Sequence, residues 1–142
     1  LVFHCVTSLN NIMNKKTSTG RMGEDIAQGF LMKNGYKIIE RNYWKPWGEL
    51  DIVALSPDKT LVFIEVKTIN SSINSHITAE NNLTQSKLKK LQRTASLYAN
   101  GNPSLVDDNK GWRIDLLAID IYETGPCPEP SRRVDIRHYE NI

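Results

Sequence analysis

The chain has little of what marks a specialised class. Its two cysteines, Cys5 and Cys127, sit at opposite ends of 142 residues. Two cysteines build no disulfide framework, so a reduced, cytoplasmic setting is the expectation. No apolar run approaches the roughly 18 residues of a membrane span, and no membrane partner is expected. The three histidines, His4, His76 and His138, are scattered and form no zinc spacing with the cysteines. His138 reads as a hydrogen-bonding residue of a terminal strand. A glycine-rich phosphate loop, a nucleophile elbow and internal repeats are all missing. Neither sign of charge dominates: 18 Lys and Arg against 16 Asp and Glu give +2. That excludes a generally basic nucleic-acid binder and leaves room only for a basic patch.

What remains is an ordinary globular composition, 39% hydrophobic and 24% charged, on a chain long enough for one domain with a proper core. The opening LVFHCVTSLNNI lacks the basic leader and small-residue cleavage site of a signal peptide. Met13 opens the stretch MNKKTSTGRMGED. Residues 1–12 therefore read as an upstream extension, disordered or loosely packed, with 13–142 forming the domain.

Thr17, Ser18 and Thr19 offer helix caps for a helix from about Arg21 to Asn34, stopped by Gly35. At helical angles Met22, Ile26, Ala27 and Phe30 make one stripe. Gly23 and Ala27, four apart, let that helix lie close to a sheet. Asp25 points away from the stripe, whereas Glu24 falls on its border beside Leu31. Tyr36 to Tyr43 alternates like a strand, and Trp44-Lys45-Pro46-Trp47-Gly48 turns the chain. Glu49 to Leu55 is a second strand, with Glu49, Asp51, Val53 and Leu55 on one face and Leu50, Ile52 and Ala54 on the other. Thr60 to Thr68 is a third, in which Leu61, Phe63, Glu65 and Lys67 share a face. Asn70 to Thr84 reads as a long loop of the kind that is often functional. A helix from about Thr84 to Asn100 follows, with a stripe of Leu88, Leu91, Ala95 and Tyr98. Strands from Trp112 to Tyr122 and from Arg133 to Tyr139 flank the loop TGPCPEPS. The order α-β-β-β-α-β-β predicts an α/β fold: an antiparallel three-strand meander, a helical crossover and a mixed sheet flanked by helices.

The chemistry concentrates in LVFIEVKT, Leu61 to Thr68, where an apolar strand face continues into Glu65 and Lys67. Charged side chains enter a sheet interior only when paired or metal-bound. Residues two apart on a strand lie about 6.6 Å apart, and a neighbouring strand about 4.8 Å away can bring Asp51 alongside Glu65. Facing carboxylates repel unless a cation sits between them, and Mg²⁺ suits two carboxylates plus phosphate oxygens. Lys67 then lies where it can hold a water or offset charge on phosphorus. The bland alternative is an exposed strand face with an Asp51–Lys67 cross-strand ion pair. Glu49 shares Asp51's face and is a weaker candidate, with an outward ion pair as its alternative. On the second helix Lys87, Lys89, Lys90 and Arg93 stand together in a stretch, Asn81 to Val106, without an acid. That face suits phosphate backbones or is a solvated helix face. Trp44 and Trp47 flank Pro46 and read as a structural cover over the sheet end, with base stacking as the alternative.

The pattern Gly23-Glu24…Ala27, Asn42, Gly48-Glu49-Leu50-Asp51-Ile52-Val53 and Phe63-Ile64-Glu65-Val66-Lys67-Thr68 resembles the YraN-like family of bacterial proteins. The likeness continues through Lys87, Ala95…Tyr98, Arg113-Ile114-Asp115 and His138-Tyr139-Glu140-Asn141, so it spans Arg21 to Ile142. It departs at Ile69, where relatives carry arginine. The resemblance implies the restriction-endonuclease-like superfamily, with its αβββαβ core and PD-(D/E)xK site. By position, Asp51 and Glu65 would be ligands of Mg²⁺ or Mn²⁺ and Lys67 the catalytic lysine. Glu24 is similar to the helix-borne acid that Holliday-junction resolvases add to that site. The implied activity is divalent-metal-dependent hydrolysis of nucleic-acid phosphodiester bonds, with branched or structured DNA as a candidate substrate and a homodimer by analogy. Two rivals are a nucleic-acid-binding module without turnover and a protein-interaction scaffold.

Overall fold

The computed structural model describes residues 2–8, 19–71, 83–124 and 131–142. Met13, His76, Cys127, most of the predicted loop after the third strand and the centre of TGPCPEPS lie outside the described residues. In chain order the elements are β1 (Val2–Ser8), α1 (Thr19–Lys33), β2 (Lys37–Lys45), β3 (Gly48–Leu55), β4 (Leu61–Ser71), α2 (Gln85–Gly101), β5 (Trp112–Thr124) and β6 (Ser131–Tyr139), with a 3-10 turn at Pro103–Leu105.

All six strands join one sheet in the order β1-β6-β5-β4-β3-β2. The expected meander is present: β2 pairs antiparallel with β3 and β3 with β4. Strands β4 and β5 run parallel. A parallel pair needs a long connection, and α2 lies within it. The chain is thus α/β with a mixed sheet. Two boundaries moved. Asn70 and Ser71, expected to open a loop, extend β4. Val2–Ser8, expected in a loosely packed extension, form an edge strand on β6, from Val2 opposite Tyr139 to Ser8 opposite Arg133. An open sheet edge offers a row of unpaired main-chain groups, and the strand-prone VFHCVTS satisfies them with its backbone.

Alternation along the strands divides the core into two layers. Val62, Ile64 and Val66 of β4 join Leu117, Ile119, Val134 and Ile136 beneath Ala27, Phe30 and Leu31 of α1. Leu61 and Phe63 point the other way, packing with Leu50, Val53 and Ile114 against Leu91, Ala95 and Tyr98 of α2. Phe63 meets Tyr98 and Trp112 edge to face, at 5.6 and 5.5 Å between ring centroids, contacts worth about 0.5–1.5 kcal/mol each beyond area burial. Two glycines set how near the helices come. A Cβ on Gly23 would fall 1.7 Å from Thr68 Oγ1, and one on Gly48 would fall 2.1 Å from Thr94 Oγ1. Any larger residue would push α1 off β4 or α2 off β3.

Candidate active site

The regular face pattern of β3 breaks at Asp51. Leu50 and Val53 both pack under α2, while Ile52 and Ala54 pack under α1. Leu50 therefore does not share a face with Ile52, as simple alternation predicted. The register of β2 on β3 shifts earlier, between Ile38 and Glu40; at Asp51 it is unbroken, running from Arg41–Ile52 to Tyr43–Leu50. There Asn42 adopts a left-handed backbone angle, φ 53°, which Asn tolerates better than most residues. On the other side, β3–β4 pairing runs only from Leu55–Leu61 to Ile52–Ile64. Beyond it Asp51 Oδ2 accepts the Val66 N–H at 2.8 Å. A side-chain carboxylate thus stands where a strand carbonyl would otherwise serve, and the strands part around it.

Glu65 and Lys67 lie just past that parting, on the α2 side of β4. Their β5 neighbours are Leu116 and Ala118, both apolar, so partners for their charges must come from elsewhere. The Lys67 ammonium contacts the Glu65 carboxylate, and the two side chains are only 23% and 14% exposed. An open solvent face does not describe them. Asp51 feels the cluster most. Burial, then the charge of Glu65, then more weakly Glu24, push its carboxyl from the ordinary 3.8 to about 7; the Val66 N–H and Lys67 oppose this. Two acids close enough to repel, with one lysine between them, make a site short of positive charge.

Glu24 reaches the helix–sheet border as expected, but its ion pair is with Arg41 of β2, at 3.6 Å. Asp25, expected to be solvated, is exposed and still meets the same guanidinium at 2.8 Å. Arg41 was not singled out in the sequence; its position three residues before the Trp44 turn carried no motif. Glu49 is exposed and lines a cleft at the β2–β3 turn. Lys87, Lys89, Lys90 and Arg93 are all exposed on α2, opposite its buried Leu91, Ala95 and Tyr98. Trp44 and Trp47 are 68% and 43% exposed.

A second charged cluster lies on the α1 side of β5 and β6. Asp115 is fully buried. It receives Arg113 Nε at 2.9 Å, the Asn141 N–H at 3.0 Å and a bond from His138 Nε2 at 2.9 Å. Burial alone would raise this carboxyl; His138, Arg113 and Asn141 more than offset that and hold it below its ordinary value. Here His138 has the hydrogen-bonding role expected of it. Asp115, His138 and Glu140 bring ligand-type atoms within 4.8 Å of one another; Asp51, Glu65 and Glu24 are not drawn together as such a trio. Yet Arg113 already fills the Asp115 cluster, also standing 3.6 Å from Glu140. Asp51 and Glu65 offer oxygen donors only, the type that hard divalent ions take, with the Lys67 ammonium already on Glu65. No helix among the described residues is long and apolar enough to cross a membrane.

Comparison with known sequences adds a family. The UPF0102 protein of Sulfurimonas denitrificans is 39% identical over 123 residues, spanning 87% of this chain and 94% of its own length. That of Campylobacter concisus is 39% identical over 100 residues, 70% of this chain and 81% of its own. That of Chlorobium phaeobacteroides is 41% identical over 100 residues, 70% and 75% respectively. Residues 23–119 match the family model described as "Uncharacterised protein family UPF0102". This stretch holds Glu24, Asp51, Glu65, Lys67 and the basic face of α2. The chain belongs to the UPF0102 family.

Proposed function

We propose that the chain is a divalent-metal-dependent endonuclease of restriction-endonuclease-like fold, hydrolysing phosphodiester bonds in nucleic acid. The observation that carries this reading is the charge deficit where β3 and β4 part. Asp51, pushed to about 7 by burial and Glu65, stands beside an otherwise apolar strand end carrying the Glu65–Lys67 pair. Asp51 and Glu65 would hold Mg²⁺ or Mn²⁺, and Glu24 would contribute once freed from Arg41. The bound ion would polarise the phosphoryl group and neutralise charge developing on its oxygens. Lys67, fixed by Glu65, would orient the attacking water and face the negative charge gathering at phosphorus. Lys89, Lys90 and Arg93, with Lys87, would hold the backbone on the α2 side. The αβββαβ order around a mixed sheet agrees with this fold.

The direct test is incubation of branched, single-stranded and duplex DNA, and of RNA, with Mg²⁺ or Mn²⁺. Cleavage that needs the metal and falls by about 10²–10³-fold in Glu65→Ala and Lys67→Ala is expected; cleavage at the wild-type rate in either variant would sink the assignment. The exposed, acid-free face of α2 also supports a second reading, a nucleic-acid-binding module without turnover. It predicts salt-sensitive binding that is indifferent to divalent ions.

A further inference from the structure

The β2–β3 turn presents two indoles that the fold does not use. Tyr43, Phe63, Tyr98 and Trp112 pack against one another edge to face, while Trp44 and Trp47 stay 68% and 43% exposed and join no ring contact. Exposing large apolar side chains forgoes stabilisation of about 1.5–3 kcal/mol for each that could have been buried. The turn is also firmly held. Lys45 pairs with Gly48 across it, and Gly48 sits so tightly on Thr94 of α2 that no side chain fits between. Lys90, one helical turn before Thr94, joins Trp44, Lys45, Pro46, Gly48 and Glu49 around a cleft of about 110 Å³. From Gly48 to Asp51 is three strand residues, about 10 Å at roughly 3.3 Å each.

Aromatic surface next to lysines, close to a phosphate-directed site, is the chemistry that holds bases and backbone together. The bases of a duplex stack on each other and hide their faces; only an unpaired base offers one to an indole. We infer that Trp44 and Trp47 form a stacking platform for unpaired bases, with Lys45 and Lys90 holding the adjoining phosphates, so that the substrate class is single-stranded or locally unpaired nucleic acid. Glu49 is the one acid in the cleft, and two lysines outweigh it. An apolar peptide as occupant would give Lys90 no counter-charge, nor Lys45, whose ammonium lies 5.6 Å from the Tyr43 ring centroid. The inference rests on the nuclease reading and specifies the substrate of that same site.

The test is fluorescence anisotropy with labelled oligonucleotides of equal length: a single strand, a blunt duplex, and a single strand of abasic residues that keeps its phosphates. The full chain is compared with Trp44→Ala, Trp47→Ala, Trp44→Phe and Trp47→Phe, each checked for unchanged circular dichroism. Wild type should prefer the single strand to the duplex. Each alanine variant should lose roughly 5- to 150-fold on the single strand, lose nothing on the abasic strand, and be largely rescued by phenylalanine. Alanine variants that bind the single strand as wild type does, or that lose equally on the abasic strand, overturn the platform. If wild type still cleaves in that case, the nuclease reading stands without it. If wild type binds none of the three and cleaves nothing, both fall together.

Discussion

Asp51 on β3 and Asp115 on β5 both carry a carboxylate into the sheet, and burial works against the charged form of each. Their surroundings then diverge. Asp115 receives Arg113, His138 and a main-chain N–H, and its carboxyl is held below the ordinary range. Asp51 receives one main-chain N–H and the charge of Lys67 against those of Glu65 and Glu24, and its carboxyl rises to about 7. A satisfied buried carboxylate binds strands and chain end together. One left short of positive charge is suited to a site where something else brings that charge, which is why we propose chemistry for Asp51 and architecture for Asp115.

Removing each carboxylate should separate these roles. Asp115→Ala leaves Arg113 and His138 facing a buried gap and should cost about 3–5 kcal/mol in urea unfolding. Asp51→Ala removes a repelled charge and should leave stability unchanged or raised; equal losses at the two positions would break the comparison. In cleavage assays the ranking reverses. Glu65→Gln or Lys67→Ala should lower kcat by about 10²–10³-fold, at unchanged melting temperature.

The two carboxyls should also give opposite pH slopes in metal-free protein. Between the ordinary 3.8 and about 7, folded Asp51 keeps a proton that the unfolded chain has released. Its contribution to stability therefore declines as pH rises through that window. Asp51→Asn should remove this slope. Asp115, lowered on folding, contributes above the unfolded carboxylate value and loses that contribution only in acid, as pH falls through its folded value. Thermal melts at a series of pH values read both. The smallest effect belongs to the basic helix: Lys89→Ala or Arg93→Ala should each reduce the log–log salt slope of binding by about 0.7–0.9, for every sequence alike.

Most of the architecture was legible because its signals are local. Period-two alternation gave the β2–β4 meander, and Gly35, the Trp44–Gly48 turn and the acid-free second helix marked boundaries. The edge strand β1 was missed because VFHCVTS gains its partner only when the far end of the chain folds back as β6. The break in alternation at Asp51 was missed for a related reason. It coincides with a left-handed angle at Asn42, nine residues earlier on the facing strand. The Asp115 cluster is more instructive. Arg113-Ile-Asp115 places two charges two residues apart on an apolar strand, just as Glu65-Val-Lys67 does. The sequence drew chemistry from one and no role from the other. What distinguishes them is the third partner: His138 and the Asn141 N–H complete Asp115 from the chain's last residues, whereas more negative charge arrives at Asp51.

We propose that Asp51 and Glu65 await a divalent cation. Calorimetric titration of Mn²⁺ near pH 7, in two buffers of different ionisation heat, tests it most directly. Binding should release a fraction of a proton, from the protonated share of Asp51 at that pH, and Asp51→Ala should abolish both the binding and the proton release. Mn²⁺ binding that is absent from wild type, or unchanged in Asp51→Ala, would contradict the account.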